Sequence, residues 1–229
     1  MPLSIIIPTL NEAETIGAAL AALAPLRKAG AEIIVVDGGS ADGTQAKAAR
    51  FADRVETEPR GRAVQMNAGA RMARGDVLLF LHADTRLPGA ADSLIEDALT
   101  DASRPWGRFD VRIHPPRPLL RMVAWSMNLR SRLTGIATGD QAIFVRREVF
   151  ERVGGYPEIA LMEDVALSRV LKRIGAPACL RARVTTSGRR WERQGTVRMI
   201  FLMWRLRLAF FLGADPTELA ARYGYAHRN

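Results

Sequence analysis

The chain has 229 residues, 48% of them hydrophobic and 25% charged, with a formal net charge of +9. That length and apolar content supply one large core, or a core with a small appendage, and exclude a disordered chain. Cys179 stands alone, which excludes an internal disulfide framework and a thiolate zinc site and fits a reducing cytoplasm.

The opening MPLSIIIPTLNE has neither the basic n-region nor the long apolar h-region of a signal peptide. Residues 4–7 read as a short buried strand. A helix is expected from Asn11, with Glu14 in a capping-box arrangement and Ile16, Leu20, Leu23 and Leu26 at helical spacing before Gly30. Residues 33–36 form a second apolar strand closed by Asp37, 45–51 a helix and 54–57 a weak strand. A helix over 63–74 stops at Gly75, a third strong strand covers 76–81, and another helix covers 88–99. Beyond Asp101 the pattern is mixed. Residues 109–113 alternate like an antiparallel edge strand, and 119–133 make a helix followed by a glycine-rich turn. A strand over 142–145, short helices over 147–153 and 162–174, and a last strand over 178–184 complete the pattern. Residues 196–212 are strongly apolar.

Strands apolar on both faces and separated by helices predict a mostly parallel, Rossmann-like α/β sheet covered on both sides. In such sheets ligands sit beyond the carboxyl ends of the strands. The polar residues fall there: Thr9, Asn11 and Glu12 after the first strand, Asp37 after the second, His82 and Asp84 after the third. His82 and Asp84 are two apart, so in an extended chain both side chains project the same way. A carboxylate at the end of a buried strand needs a cation to offset its desolvation. No GxGxxG follows the first strand, and DGGSADGT lacks the GK[ST] ending of a phosphate-cradling loop. No zinc-finger or RNA-binding signature accompanies the arginines, so nucleic acid is the weakest explanation of the charge, behind an anionic membrane face and phosphate-bearing ligands.

The blocks SIIIPTLNEAETI, IIVVDGGSADGT, ARGDVLLFLHADT and MEDVALSRVLKRIG stand in the order found in family 2 glycosyltransferases, and the chain resembles that family over roughly residues 3–175. LHADT, GRAVQMNAG and GDQAIFV further resemble a bacterial subgroup labelled arsenosugar-biosynthesis glycosyltransferase. The resemblance implies a GT-A fold over 1–185, with a nucleotide-binding half at 1–100, an acceptor-side half at 101–185, and a helical C-terminal extension at 186–229. It implies an inverting transfer of a hexose from a UDP- or GDP-linked donor to a hydroxyl acceptor, small or lipid-linked.

The same resemblance assigns roles. Asp164 matches the catalytic base, with Glu163 supporting the acceptor site. Pro8, Thr9, Asn11, Glu12 and Asp37 line the nucleotide pocket. Arg62, Asp84, Gln141, Arg190 and Trp191 contact the nucleotide sugar. Asp84 matches the last aspartate of the family's DxD-type motif, which holds Mn or Mg on the diphosphate. His82 departs from that pattern by standing where the first aspartate often stands, as a metal ligand that manganese tolerates better than magnesium or as a phosphate donor. Each residue also has a structural reading: Asp37 as a turn residue, Glu12 as a helix-dipole partner, Glu163 and Asp164 as capping acids, Arg190 in a solvated basic loop. A nucleotidyltransferase would show a glycine-rich loop with Arg and Lys after the first strand, which PTLNEAET lacks; a non-catalytic sugar-nucleotide-binding protein has little use for a base.

The apolar stretch VRMIFLMWRLRLAFFLG carries Arg198, Arg205 and Arg207, too many charges for a membrane span of ~20 apolar residues. Arg198 and Arg205 share a helical face while Arg207 lies far round. That favours packing on the core or on a homodimer partner through 196–213 over a peripheral membrane position, and a lipid-linked acceptor reverses the preference.

Overall fold

The computed structural model describes residues 1–224. Seven strands form one sheet: β1 (Leu3–Thr9), β2 (Glu32–Asp37), β3 (Arg54–Thr57), β4 (Val77–Phe80), β5 (Trp106–His114), β6 (Phe144–Arg146) and β7 (Ala178–Ser187). Their spatial order is β3-β2-β1-β4-β6-β5-β7. The helices are α1 (Ile16–Ala21), α2 (Ala24–Lys28), α3 (Thr44–Ala48), α4 (Arg62–Met72), α5 (Ala91–Ala98), α6 (Pro118–Thr134), α7 (Arg147–Arg152), α8 (Glu163–Ile174), α9 (Arg189–Gln194), α10 (Thr196–Phe211) and α11 (Pro216–Tyr223). A 3-10 turn at Gly139–Gln141 leads into β6.

The run SIIIP explains the layering. Successive side chains of a strand point to opposite faces. Ile5 and Ile7 therefore join Ile33 and Val35 in one apolar layer, and Ile6 joins Ile34 and Val36 in the other. Both layers need helices over them, and α4 approaches β1 so closely that a Cβ on Gly69 would lie 2.4 Å from Ile6 Cγ2. A third, smaller cluster joins Leu161, Met162 and Val165 at the start of α8 to Leu206 of α10 and Leu219 of α11.

β1 pairs parallel with β2 and β4, and β2 with β3. β6 runs antiparallel to β4 and β5, and β7 runs parallel to β5. The antiparallel β6 brings its amino end, preceded by Gly139–Gln141, to the edge where β1, β2, β4, β5 and β7 present their carboxyl ends. That edge gathers the polar residues.

Two elements differ from expectation. The segment expected as an antiparallel edge strand is the nine-residue interior strand β5, flanked by β6 and β7. The single helix expected from Asn11 to Gly30 begins at Ile16 and is divided into α1 and α2. Asn11 instead takes φ 54° and its Oδ1 accepts from Ala41 N at 3.1 Å, linking the loops after β1 and β2. After Ser187 the chain is helical through α9, α10 and α11; residues 225–229 of the expected extension lie outside the described residues.

Candidate functional site

A cleft of about 1700 Å³ opens at this edge. It is lined by Pro8, Thr9, Asn11 and Glu12 after β1, Arg62 at the start of α4, and His82 and Asp84 after β4. Gly139 and Asp140, the first turn of α8 with Glu163 and Asp164, and Arg190 and Trp191 of α9 complete the wall. Of the sequence-predicted residues, Asp37 and Gln141 are fully buried and do not line the cleft.

Asp37 organises the loop beneath it. Its Oδ1 accepts from Gly39 N (3.0 Å), Ser40 N (2.7 Å) and Gln45 Nε2 (2.9 Å), and its Oδ2 from Thr9 Oγ1 (3.0 Å) and Ser40 Oγ (2.6 Å). Burial alone would raise its pKa, but the bonds from Ser40, Gln45 and Thr9 outweigh that and hold it below the usual carboxylate value. Gln65 adds a second tie, donating from Nε2 to Thr9 O (2.8 Å) and Val36 O (2.7 Å), so the ends of β1 and β2 are locked together. Gln141 spends its Oε1 on Thr138 N at 3.2 Å, inside its own turn.

β4 stops at Phe80, so the alternation expected to aim His82 and Asp84 together ends before them. A turn closed by Thr85 N donating to His82 O (3.0 Å) separates the pair. His82 Nδ1 lies 3.2 Å from Asp140 Oδ1. Its Nε2 is buried against Gly139, where a Cβ would come within 2.3 Å. Burial opposes the charge of Asp140, but the hydrogen bond and charge of His82, with Arg62 and Arg190 nearby, hold its pKa below the ordinary value. Among the described residues Asp84 makes only long contacts, 3.4 Å from Thr85 Oγ1 and 3.5 Å from Thr186 Oγ1. Contacts that long leave a carboxylate's acceptor capacity largely unused.

Beside the Gly139–Gln141 turn Met162 takes φ 70° and starts α8, placing two acids in the first turn. Asp164 Oδ2 accepts from Gly139 N at 2.8 Å and Oδ1 from Val165 N at 2.7 Å. Glu163 is buried, with Arg62 Nη1 3.7 Å from its Oε1. Burial, then the charge of Asp164, raises the Glu163 pKa. Burial, then the charges of Asp164 and Glu163, push the Tyr156 phenol well above its ordinary value, so it stays neutral. On the α9 side, Arg190 stacks 3.8 Å over the Tyr223 ring and donates from Nη2 to Tyr223 O at 2.9 Å. Arg189 Nη2 lies 3.5 Å from Glu12 Oε2.

The raised Glu163 value has a consequence for stability. A carboxyl whose folded pKa exceeds its ordinary 4.5 costs nothing extra while protonated in both states. The cost accrues as pH rises from the ordinary 4.5 to the raised folded value and is complete above it. Glu163→Gln is therefore expected to melt higher than the unsubstituted chain at about pH 8 and to lose that advantage toward about pH 4, with about 2–4 °C for each kcal/mol relieved. A melting difference between the two proteins that does not change with pH would remove the assignment.

Sequence reasoning missed three contributors. Thr186 reaches Asp84 because β7 continues past Val184, where the expected strand stopped. Asn67 grips the backbone of Tyr156 from both sides, donating to its O (2.9 Å) and accepting from its N (2.8 Å). Arg130 feels the charge of Asp164 from α6, and its Nε and Nη2 are buried with no hydrogen-bond partner among the described residues. For Asn67 and Arg130 the sequence signal was a polar residue on a helix that also carries buried positions; for Thr186, on β7, there was none.

Comparison with known proteins agrees with this layout. The family described as "Glycosyl transferase family 2" matches residues 4–154. A PGL/p-HBAD biosynthesis glycosyltransferase of Mycobacterium tuberculosis is 33% identical over 171 residues, covering 67% of this chain and 62% of the relative. The chain thus spans less than two thirds of the curated relatives it matches. Among solved structures, the mannosyltransferase PcManGT from Pyrobaculum calidifontis, in complex with GDP-Man and Mn2+, has a TM-score of 0.65 at 24% identity, covering 96% of this chain and 64% of that one. S. aureus TarS in complex with UDP-GlcNAc has a TM-score of 0.68 at 20% identity, covering 82% and 58%. Glucosyl-3-phosphoglycerate synthase from Mycobacterium tuberculosis, in complex with Mg2+ and UDP, has a TM-score of 0.59 at 20% identity, covering 81% and 70%. These likenesses establish the mixed α/β GT-A fold, and with the span matched by the family model they show that the chain belongs to glycosyl transferase family 2.

Proposed function

We propose that the cleft transfers a sugar from a nucleoside diphosphate sugar to an acceptor hydroxyl, with inversion at the anomeric carbon. The observation that carries this reading is the meeting of Asp84 and the Glu163–Asp164 pair, far apart in sequence, on the walls of one cleft. Asp164 takes the acceptor proton as the acceptor oxygen bonds to the anomeric carbon. The bond from that carbon to the diphosphate oxygen breaks, and the nucleoside diphosphate leaves with the electron pair. Arg62 and Arg190 supply positive charge where the diphosphate charge develops.

The donor set fits a divalent cation shared with the diphosphate rather than one held by protein alone. Among the described residues, no three His, Cys, Asp or Glu side chains gather as a metal cage. Asp84 has acceptor capacity to spare, and a hard cation accepts one carboxylate with phosphates and waters completing its shell. His82 fits poorly, because one ring nitrogen faces Asp140 and the other is packed on Gly139; the metal role that the sequence reading gave it passes to Asp84 alone. When bound, Mn or Mg neutralises charge on the leaving diphosphate. Asp37 and Gln141 shape the loops around the donor rather than touching it. UDP- and GDP-linked sugars are the donors to try, since the structural neighbours were solved with GDP-Man, UDP or UDP-GlcNAc.

Incubation with UDP-glucose, UDP-GlcNAc or GDP-mannose and manganese is expected to release nucleoside diphosphate with one base preferred, and to stop on chelation. Tight binding of a donor with no release under any condition would overturn catalysis and leave a sugar-nucleotide-binding protein.

A further inference from the structure

The sugar-transfer reading leaves one large surface unused. With about 100° of rotation per residue, Val197, Phe201, Trp204, Leu208 and Phe211 of α10 fall within about 40° of one line along the helix. All five are exposed, Trp204 at 75%. The opposite face is also apolar, but Met199 and Leu206 there are buried, Leu206 against the start of α8. Arg198 and Arg205 stand about 80–100° to one side of the exposed line and Arg207 about 80° to the other.

α6 repeats the arrangement. Met122, Trp125, Leu129 and Leu133 lie along one outward line, with Trp125 64% and Leu133 76% exposed. Leu120, Val123 and Met127 face inward. The two helices touch, and Met122, Trp125, Met203 and Trp204 all border the mouth of the cleft. A folded chain does not ordinarily leave two adjacent stripes of this size in water. Both helices carry one consistent chemistry: neither PLLRMVAWSMNLRSRLT nor TVRMIFLMWRLRLAFF contains a single acidic residue, while Arg121, Arg198 and Arg205 stand exposed along them.

We propose that the joint α6–α10 face seats on an anionic lipid bilayer. Aromatic and aliphatic side chains enter the headgroup boundary and the flanking arginines meet lipid phosphates, as in helices that lie in an interface plane. The seating is peripheral, because no helix among the described residues is long and apolar enough to cross a membrane. A second copy of the chain is the poorer occupant. A two-fold interface sets this patch against itself, opposing arginines to arginines with no acid from either helix to offset them. Docking here sets the mouth of the cleft at headgroup level.

The test uses the whole chain, without donor, and vesicles of phosphatidylcholine alone or mixed with phosphatidylglycerol. Flotation is expected to carry the protein with the mixed vesicles, with a blue shift of tryptophan emission. Phe201→Glu with Trp204→Glu, both on exposed positions, is expected to weaken binding by at least about tenfold with an unchanged melting temperature. Arg198→Glu with Arg205→Glu is expected to abolish the preference for anionic vesicles. Binding that disappears in about 0.5 M salt yet ignores the Phe201/Trp204 substitutions would overturn the proposal, because it would be charge attraction alone. So would no binding to either vesicle, or a dimer in sedimentation that the same substitutions dissociate while vesicles leave it untouched. Nucleoside diphosphate release is assayed without vesicles, so loss of one reading leaves the other standing.

Discussion

Asp164→Asn is expected to lower sugar transfer by about 10²–10⁴-fold, the contribution typical of a positioned general base, while donor affinity stays within about threefold. In the proposed transfer Asp164 is the base, and it lines the cleft from the first turn of α8. Met162 turns the chain into α8, and the Gly139 and Val165 amides fix the two oxygens of Asp164 at 2.8 Å and 2.7 Å. Each oxygen has two lone pairs, so one remains on each after these bonds. Asparagine keeps the shape and loses the basicity. It also presents an amide N–H to one of the two backbone donors, which costs about 1–3 kcal/mol of stability. A melting curve therefore has to accompany the rate, and the activity must fall far more than the folded fraction. Asp164→Glu separates position from basicity: it retains a carboxylate but moves it off the Gly139 amide, and a large loss there too shows that placement matters.

The neighbouring acid is the competitor for this role. Glu163 is buried and its pKa is raised by burial and by Asp164, as suits a base working near neutral pH. Its oxygen faces Arg62 at 3.7 Å, however, which ties it to the donor side of the cleft. If Asp164→Asn keeps its activity while Glu163→Gln loses it, the base is Glu163 and the assignment above is reversed. The same Glu163→Gln protein serves the melting measurement against pH, so one variant reads both its charge and its part in transfer.

The sequence was most legible where burial imposed it. The runs around Ile5–Ile7, Ile33–Val36 and Val77–Phe80 are apolar on both faces because helices cover both sides, and no other arrangement shelters them. It was least legible where polar groups found distant partners. Asp110 and Arg112, alternating with Phe109, Val111 and Ile113, made residues 109–113 read as an antiparallel edge strand. In the folded chain Arg108 is fully buried, bonded to Asp110 and to Ser131 Oγ at 3.0 Å, and Arg132 reaches the same aspartate at 2.7 Å. That pairing is supplied by α6, some twenty residues later, and no local pattern announces it. The start of α1 failed for a related reason: Asn11 offered itself as a helix cap, but its side chain caps the loop after β2 instead. At the site, each wall could be read in order along the chain, but how the side chains share one another could not. His82 and Asp84 looked like a pair until β4 ended at Phe80 and each took a different partner.

Asp84→Ala is expected to remove most of the metal dependence of donor binding and to lower transfer by about 10²–10³-fold, the scale of losing one electrostatic contact to the developing charge. The carboxylates around it are committed elsewhere. Asp37 accepts five bonds, from its own loop, Thr9 and Gln45; Asp140 faces His82, and Asp164 holds two backbone amides. Among the described residues Asp84 meets only hydroxyls at 3.4 and 3.5 Å, and Thr186 from β7 braces it without satisfying it. Removing it therefore disturbs little of the fold, and the melting temperature is expected to stay within a few degrees. Titration of a nucleoside diphosphate with and without manganese reads the metal term directly: the unsubstituted chain binds more tightly with manganese, and the alanine variant does not distinguish the two. A variant that still gains affinity from manganese would place the cation elsewhere. His82→Ala supplies the contrast. With Nδ1 on Asp140 and Nε2 against Gly139, its loss is expected to loosen the Gly139–Asp140 turn and leave the manganese effect on binding in place, so a His82→Ala protein blind to manganese would return the imidazole to the metal.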